Sequence, residues 1–409
     1  MNMPVKDDNP FFKRGGLSAV FNSNGNLILA SVDSTAKLFD VKSGKIILNL
    51  KHNEYVLYSI FSPDESKIAT TSDHGTSIWD IKKGELFFKI DNNKRIDFIK
   101  FSSNGKYLMT IDSDYKLKIW DVDVKKIIFE KTNVYCENSY DYNLIDREFI
   151  CNQLMNFTRD NENFTFLTYD TLKNNAPRDY LLYPSKKYFI STFNKVNIKT
   201  GIIIKQYKLN NYKFITANYD EKNNQIIGIA NKEIGNFFLL QRVSLSSGDL
   251  INTTQLKKIS SEDTYFYDGT EYGGGGPSES NQFAKILFNK SKSKLISFPN
   301  SGNNFYPNFI RIWSIQTGVE LNFLKTSRKG DYPSYVELSP NENKILTVSH
   351  DEAKLWDTQT GNQLYTFKNL DSSFFRTGHF SNDGTKIVTI AGAIRIWDVA
   401  TGEEIQRDK

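Results

Sequence analysis

The sequence predicts an all-β protein, built as a single β-propeller of four-stranded blades. One short phrase recurs to the end of the chain at intervals of about 40 residues, which is the length of a four-stranded blade. Aromatic residues make up 14% of the 409 residues and there are only 10 prolines. Both values favour paired strands, which suit aromatic side chains and exclude proline.

The first half of the phrase predicts a hairpin between two strands, called a and b. At 61–68 it reads FSPDESKI, in which an apolar residue, a turn cluster and a new apolar run follow one another. Clear copies are FNSNGNLI (21–28), FSSNGKYL (101–108), LSPNENKI (338–345) and FSNDGTKI (380–387). Weaker copies are FTRDNENF (157–164), YDEKNNQI (219–226) and FNKSKSKL (288–295).

The second half of the phrase predicts strand c and the turn into strand d. An aromatic residue occupies one slot in six copies, and these residues include all five tryptophans: Phe39, Trp79, Trp120, Trp313, Trp356 and Trp397. In five of the six, a glycine follows five residues later and allows the positive φ of a tight turn. The same turn at Gly201 and Gly248 marks two further copies, with Val196 and Val243 in the aromatic slot. The chain therefore contains eight units.

These residues resemble the WD40 repeat family, and the resemblance covers nearly the whole chain from about Leu17. It implies four-stranded blades placed around a central channel. A blade cannot bury both faces alone, so packing against its neighbours supplies the core. We expect the aromatic slot to pack between blades, because a large ring buries much apolar area there.

The resemblance also implies a hydrogen-bond chain of His, Ser/Thr, Asp and Trp inside a blade. The matching residues of the second unit are His52, Thr71, Asp73 and Trp79. In other units the histidine position holds Phe12, Asn92, Lys329 or Asp371. Those blades are therefore expected to depend mainly on apolar packing.

The predicted propeller spans residues 17–409, after an N-terminal tail at 1–16, with insertions near 135–180 and 260–281. The tail could pair with the last blade, or the C-terminal EEIQR could form its outer strand instead. Between Trp120 and Val196 lie 76 residues, which fit one blade with an insertion or a ninth, degenerate blade around 140–170. Eight blades is the preferred count, with nine and seven left open.

Composition and motifs argue against catalysis, secretion and membrane insertion. The net charge is +5, too dilute for a nucleic-acid or membrane surface, and no signal-like or membrane-spanning apolar run is present. The histidines at 52, 74, 350 and 379 lack metal-ligand spacing, and Cys136 and Cys151 form no C-x-x-C motif. We expect a cytoplasmic protein that is not an enzyme, with no catalytic residue, metal or cofactor.

Three predicted loops carry aromatic residues and one of them adds an arginine, and together they have the composition of a partner-binding hot spot. The first is an insertion at 260–281, where four glycines (273–276) also allow a merely flexible excursion. The others are the b–c connection at 299–308 and the d–a connection at 327–335. In WD40 propellers these connections share one face, so we predict one patch of Tyr265, Phe266, Tyr267, Tyr272, Phe305, Tyr306, Arg328 and Tyr332. A weaker candidate is SYDYN (139–143).

The leading functional hypothesis is a non-catalytic scaffold for a protein or peptide, as WD40 propellers typically are. Two alternatives stay open. Other propellers use the central channel for catalysis or for small molecules, and catalytic carboxylates there would be dispersed in sequence. Nucleic-acid recognition is the third hypothesis, and it would require a basic stripe on one face.

Overall fold

The structure is a computed structural model that describes part of the chain. The described residues are 3–4, 18–91, 94–132, 134, 155–170, 189–209, 214–231, 238–247, 249–256, 285–298, 309–325, 333, 335–349, 351–368, 374–391 and 393–405. All extended regular structure in these ranges is β-strand, and it forms eight four-stranded blades. The predicted all-β propeller of eight blades is thus confirmed.

The first three blades each consist of four consecutive antiparallel strands. The first has β2 (Ser18–Phe21), β3 (Leu27–Val32), β4 (Thr35–Asp40) and β5 (Ile46–Lys51). The second has β6 (Tyr58–Phe61), β7 (Lys67–Ser72), β8 (Gly75–Asp80) and β9 (Glu85–Asp91). The third has β10 (Ile96–Phe101), β11 (Tyr107–Asp112), β12 (Leu117–Asp121) and β13 (Lys126–Lys131).

The fourth and fifth blades are joined into one eight-stranded sheet by a pair between Ile190 and Phe214. The fourth has β14 (Met155–Phe157), β15 (Asn163–Asp170), β16 (Phe189–Asn197) and β17 (Ile203–Lys208). The fifth has β18 (Phe214–Asp220), β19 (Gln225–Asn231), β20 (Phe238–Ser244) and β21 (Leu250–Gln255). Because β14 and β15 pair with β16, the stretch around 155–170 belongs to the fourth blade and is not a ninth one.

The last three blades complete the set. The sixth has β22 (Lys285–Phe288), β23 (Lys294–Phe298), β24 (Phe309–Ser314) and β25 (Glu320–Lys325). The seventh has β26 (Tyr335–Leu338), β27 (Lys344–Val348), β28 (Glu352–Asp357) and β29 (Gln363–Lys368). The eighth has β30 (Thr377–Phe380), β31 (Lys386–Ile390), β32 (Ala393–Asp398) and, on its outer edge, β1 (Met3–Pro4).

The turn between strands a and b has the same backbone shape in every blade. In all eight blades, the fourth residue after strand a has a positive φ. In three blades this residue is a glycine: Gly25, Gly105 and Gly384. The other five blades place Glu65, Asn161, Asn224, Lys292 and Glu342 at this position. Glu65 reaches back to the preceding blade, where its carboxylate accepts hydrogen bonds from Asn22 and from the Ser23 amide.

The chain divides into two compact units, one built mainly from residues 1–133 and 331–409 and the other mainly from 150–330. In the first unit, the aromatic slot of four blades packs on the blade before it. Trp79 lies against the core of the first blade and Trp120 against that of the second. Trp397 packs on the seventh blade, and Phe39 packs on the eighth. In the second unit, Trp313 packs on the fifth blade. The expected role of the slot is observed.

A segment from each end of the chain lies on the outer edge of β32. Met3 and Pro4 pair with Ile394 and Ala393. At the other end of the strand, Glu404 bridges Trp397, and the Ile405 amide donates to the Ile396 carbonyl at 2.8 Å. The last blade therefore has its fourth strand divided between the two termini.

Candidate functional site

Each of the five tryptophans donates its indole N–H to a hydroxyl on strand b of its own blade. The donor–acceptor distances lie between 2.9 and 3.0 Å. The pairs are Trp79–Thr70, Trp120–Thr110, Trp313–Ser297, Trp356–Thr347 and Trp397–Thr389. Four blades that lack a histidine equivalent to His52 thus have a polar tie, whereas the sequence predicted mainly apolar packing for them.

Strand register explains where the hydroxyl stands. Trp397 pairs with Ile387, and Thr389 lies two residues further along the same face. In the first blade, Phe39 pairs with Ile28, and the corresponding position is Ala30. A phenylalanine has no N–H to satisfy, so no hydroxyl is needed there. A Ser or Thr on strand b, two residues after the residue that pairs with the tryptophan, is a signal that the sequence offers.

The second blade builds the histidine chain, but through Thr70 and not through the predicted Thr71. The Thr70 hydroxyl lies 3.1 Å from His52 Nε2 and accepts the Trp79 N–H at 2.9 Å. Because Trp79 pairs with Ile68, Thr70 shares its face and Thr71 points to the other side. Thr71 accepts the Tyr58 amide instead. Within the described residues, Asp73 adds no hydrogen bond to this chain.

Burial sets the protonation of His52. Its ring meets that of Trp79 edge to face, with centroids 5.1 Å apart. Burial lowers the pKa of His52 to about 4, and the nearby Glu54 carboxylate only partly opposes this shift. His52 is therefore neutral at physiological pH and can bond Thr70 through an unprotonated ring nitrogen. These contacts give it a structural role, tying the blade together.

A basic side chain stands two residues before the tryptophan in the other four tryptophan-bearing blades. Lys118 and Lys354 lie over the Trp120 and Trp356 rings, at 5.8 and 6.0 Å from the centroids. Arg311 forms a buried ion pair with Glu320 at 2.6 Å, and Arg395 pairs with Glu404 at 3.0 Å. In the second blade the small Ser77 stands at this position, and the His52 ring contacts the tryptophan instead.

The d–a and b–c connections meet in the blades where both are described. The His52 and Val56 amides, between β5 and β6, donate to Ser34 and Asp33 in the β3–β4 turn. The Ser113 amide donates to the Arg95 carbonyl at 2.9 Å, and the Arg376 amide donates to the Ile390 carbonyl at 2.8 Å. These contacts place the two kinds of connection on one side in the first, third and eighth blades, as the family resemblance implied.

The predicted partner-binding residues lie outside the described residues. This applies to Tyr265, Phe266, Tyr267, Tyr272, Phe305, Tyr306, Arg328 and Tyr332, and to the weaker candidate at 139–143. Cys136, Cys151 and His350 also lie outside them. Their assignment to a binding patch stays a prediction.

One exposed aromatic residue on a described connection escaped the sequence analysis. Phe374 is 54% exposed, whereas its neighbour Phe375 is buried. Two residues further, Arg376 is also exposed. They stand on the d–a connection before the eighth blade, in the stretch DSSFFR. This stretch has by itself the aromatic and arginine residues that the other three loops have together, so the same criterion could have found it.

The outer strands carry exposed aliphatic side chains that the sequence analysis did not single out. They recur near the beginning of strand d, just after the c–d turn. The residues are Ile46, Ile47, Leu86, Ile127, Ile202, Ile203, Ile204, Leu250, Ile251, Leu321 and Leu364. Because strand d is the outer edge of a blade, no neighbouring strand covers these positions in the described part of the fold.

The other histidines whose side chains the structure describes, His74 and His379, pair with neighbouring polar side chains. His379 lies 3.1 Å from the Thr377 hydroxyl and 3.2 Å from the Tyr335 hydroxyl, and His74 pairs with Glu54 at 2.7 Å. In the part of the chain that the structure describes, no three His, Cys, Asp or Glu residues are grouped to hold a metal ion. The same ranges include no apolar helix long enough to span a membrane.

Comparison with known proteins supports the fold at low sequence identity. The family model described as WD domain, G-beta repeat matches residues 44–80 and 86–121. The crystal structure of the C-terminal WD40 domain of Sif2 has a TM-score of 0.62 at 13% identity and covers 93% of this chain and 95% of its own. A computationally designed protein, Ika8, has a TM-score of 0.57 at 14% identity and covers 95% of this chain and 97% of its own. No curated protein sequence matches the chain.

These matches bear on different parts of the molecule. The family model identifies repeats in the first three blades, and the solved structures cover almost the whole length. WD40 propellers generally serve as scaffolds for protein interaction. The chain thus contains WD40 repeats and has the fold of a WD40 β-propeller.

Proposed function

We propose that this chain is a non-catalytic scaffold that binds a protein or peptide partner on the side of its d–a and b–c connections. The observation that carries the proposal is the exposed pair Phe374 and Arg376 on one such connection. Phe374 is the only exposed phenylalanine among those whose side chains the structure describes. An aromatic ring with an arginine, held at the end of a paired strand, has the composition of a binding hot spot.

Two further points support this location. Backbone hydrogen bonds hold the connections together, as between the Arg376 amide and the Ile390 carbonyl, so side chains there stand on a rigid base. The sequence also adds aromatic residues to other connections of the same kind, at 260–281, 299–308 and 327–335. We expect the cytoplasm to be the location, with neither membrane nor nucleic acid as partner.

Affinity capture from native lysate, read by mass spectrometry, tests the proposal. The wild type is compared with a variant carrying Tyr265→Ala, Tyr267→Ala, Phe305→Ala and Tyr306→Ala, and with Phe374→Ala. Loss of a stoichiometric protein partner from either variant supports a scaffold with its site on these connections. As a control, Leu364→Ala removes an exposed apolar side chain from an outer strand and should retain the partner.

Other results would contradict the proposal. A partner retained by both variants would move the site elsewhere on the molecule. Recovery of nucleic acid in place of protein would favour the nucleic-acid hypothesis. If no macromolecule is captured, a bound small molecule sought by native mass spectrometry would favour the alternative of a propeller enzyme or small-molecule binder.

A further inference from the structure

The outer strand of the fourth blade, β17, differs from the other outer strands in exposure. Five of its six residues are exposed, and Tyr207 alone is half-buried. Ile202, just before the strand, is 62% exposed, and Ile203 and Ile204 are 38% and 51% exposed. Three consecutive β-branched aliphatic residues have a high strand propensity, so this edge has both an apolar surface and an extended backbone.

The backbone of β17 has one open edge. The strand pairs with β16 from Thr192↔Lys208 to Val196↔Ile203 and with no other described strand. Its inward contacts hold it in place, since Gln206 donates to Asn194 at 2.7 Å and the Tyr207 hydroxyl donates to the Leu245 carbonyl. An exposed, ordered strand with unpaired N–H and C=O groups is a template for a further strand.

Charge indicates which kind of strand would fit. The stretch 195–208, KVNIKTGIIIKQYK, contains four lysines and no acidic residue. Lys199, Lys205 and Lys208 are all exposed, and Lys205 Nζ lies 5.3 Å from the centre of the Tyr207 ring. These lysines oppose pairing between two copies of the same edge, because like charges would meet. An acidic strand would meet no such repulsion.

The next blade offers an internal comparison. Its outer strand β21 also exposes aliphatic side chains, with Leu250 at 43% and Ile251 at 54%. The corresponding stretch 243–256 has no lysine or arginine and has one acidic residue, Asp249. The two edges therefore share position and apolar character but differ in charge.

From these observations we infer that the outer edge of β17 binds an extended acidic segment of a protein by strand addition. Aliphatic side chains of that segment lie against Ile202, Ile203 and Ile204, and its carboxylates pair with Lys199, Lys205 and Lys208. Backbone hydrogen bonds to the open edge supply affinity, and the lysines select an acidic partner. This surface is separate from the connections of the proposed function, so either proposal can fail without the other.

The test uses the full chain and a capped peptide of about eight residues that alternates glutamate and valine, a length that matches a typical strand. Fluorescence anisotropy measures its binding at low salt. We expect binding that weakens as salt rises, because exposed charge pairs are screened. The matched peptide of lysine and valine should not bind, and neither should the acidic peptide with N-methylated backbone amides, which cannot form a ladder.

Two variants locate the site. Combined Lys199→Glu, Lys205→Glu and Lys208→Glu changes should weaken binding at least ~10-fold, the equivalent of ~1.4 kcal/mol. The changes Leu250→Thr and Ile251→Thr on β21 should change the affinity for the acidic peptide by no more than about twofold, since ~0.4 kcal/mol is the scale of a surface change. Thermal melting confirms that both variants are folded.

Several outcomes would overturn the inference. These are no binding of the acidic peptide, equal binding of the basic or N-methylated peptide, or an equal loss in the β21 variant. Binding of the chain to vesicles of phosphatidylserine and phosphatidylcholine, with no binding of the acidic peptide, would assign the lysines to an anionic lipid surface instead.

Discussion

At the scale of single residues, the pairing of an indole N–H with a strand-b hydroxyl is the recurring polar contact of the blades. Five blades make it with Thr or Ser, and the blade with Phe39 has Ala30 in its place. The hydroxyl is thus present where a buried donor has to be satisfied. A buried N–H left without an acceptor costs more than the bond itself contributes.

The first prediction concerns Trp397 and Thr389, which are both buried and 2.9 Å apart at Nε1 and Oγ1. Thr389→Val keeps the shape of the side chain but leaves the indole N–H unpaired, so it should lower the free energy of unfolding by ~1–3 kcal/mol. Combining it with Trp397→Phe should cost less than the sum of the two single changes. Urea denaturation of the four proteins measures this; additive losses would contradict the coupling.

The second prediction concerns pH. The pKa of His52 is lowered from 6.5 to about 4 in the folded protein. As pH falls from 6.5 to 4, the unfolded chain takes up a proton that folded His52 does not, so stability falls with pH in this window. The free energy of unfolding should fall by less than ~1.4 kcal/mol per pH unit, because the His52 ring is partly open to solvent.

The control for that experiment is His52→Gln, which cannot titrate. The difference in unfolding free energy between the two proteins should shrink as pH falls from 6.5 to 4 and stay constant above 6.5. Denaturation series at each pH measure this difference. A difference that is constant across the window would show that burial does not lower the pKa of His52.

At the scale of elements, turns decide how neighbouring blades touch. Glycines with positive φ stand in the c–d turns, and one of them, Gly402, faces the preceding blade. A Cβ at Gly402 would lie 2.3 Å from Tyr365 Cδ1. Gly25, in an a–b turn, has a φ of 69°, close to the 72° of Gly402. A Cβ at Gly25, however, would meet its nearest atom, Ser381 Cβ, only at 3.5 Å.

The third prediction follows from this contrast. Gly25→Ala should cost about 1–2 kcal/mol, the penalty of a left-handed conformation for a residue with a Cβ. Gly402→Ala should cost more, because the Tyr365 ring must also move. Thermal melting of the two variants compares them. Equal losses would indicate that the ring shifts freely and that only the backbone conformation matters.

At the scale of the whole molecule, the last blade depends on both ends of the chain. The Asp398 amide donates to Glu403 at 2.9 Å, the Ile405 amide donates to Ile396, and Arg395 pairs with Glu404. Arg395 is one of the largest fully buried side chains, so its charge needs this partner. β1 contributes a ladder of only two residues, Met3 and Pro4.

The fourth prediction is that deleting residues 403–409 lowers the melting temperature more than deleting residues 1–4. The first deletion removes backbone pairs to β32 and leaves the buried Arg395 without a carboxylate. Glu404→Gln separates the loss of the ion pair from the loss of the strand. A larger effect from the N-terminal deletion would contradict the prediction and make β1 the principal closing strand.

Much of the fold could be predicted because each blade repeats a local pattern. The eight turn phrases match the eight a–b hairpins, and the slot residues from Phe39 to Trp397 all stand on strand c. The prediction of Thr71 was wrong because it rested on a family spacing, whereas strand register places Thr70 on the face of Trp79. The composition of the stretch DSSFFR could have selected Phe374, but the sequence does not tell that this residue is exposed and Phe375 buried.

The sequence by itself determined the fold class and the position of the aromatic slot, and it favoured eight blades, since these follow from a periodic pattern of apolar and turn residues. The pairing of β14 and β15 with β16 then excluded a ninth blade around 155–170. Only the tertiary structure decided which hydroxyl meets each tryptophan, which basic side chain lies beside its ring, and how both termini share the edge of β32. It also showed that the lysine-rich stretch at β17 lies on an exposed outer edge. These features depend on strand register and on which side chains are paired or exposed in the folded chain, and the spacing of apolar and turn residues does not give either.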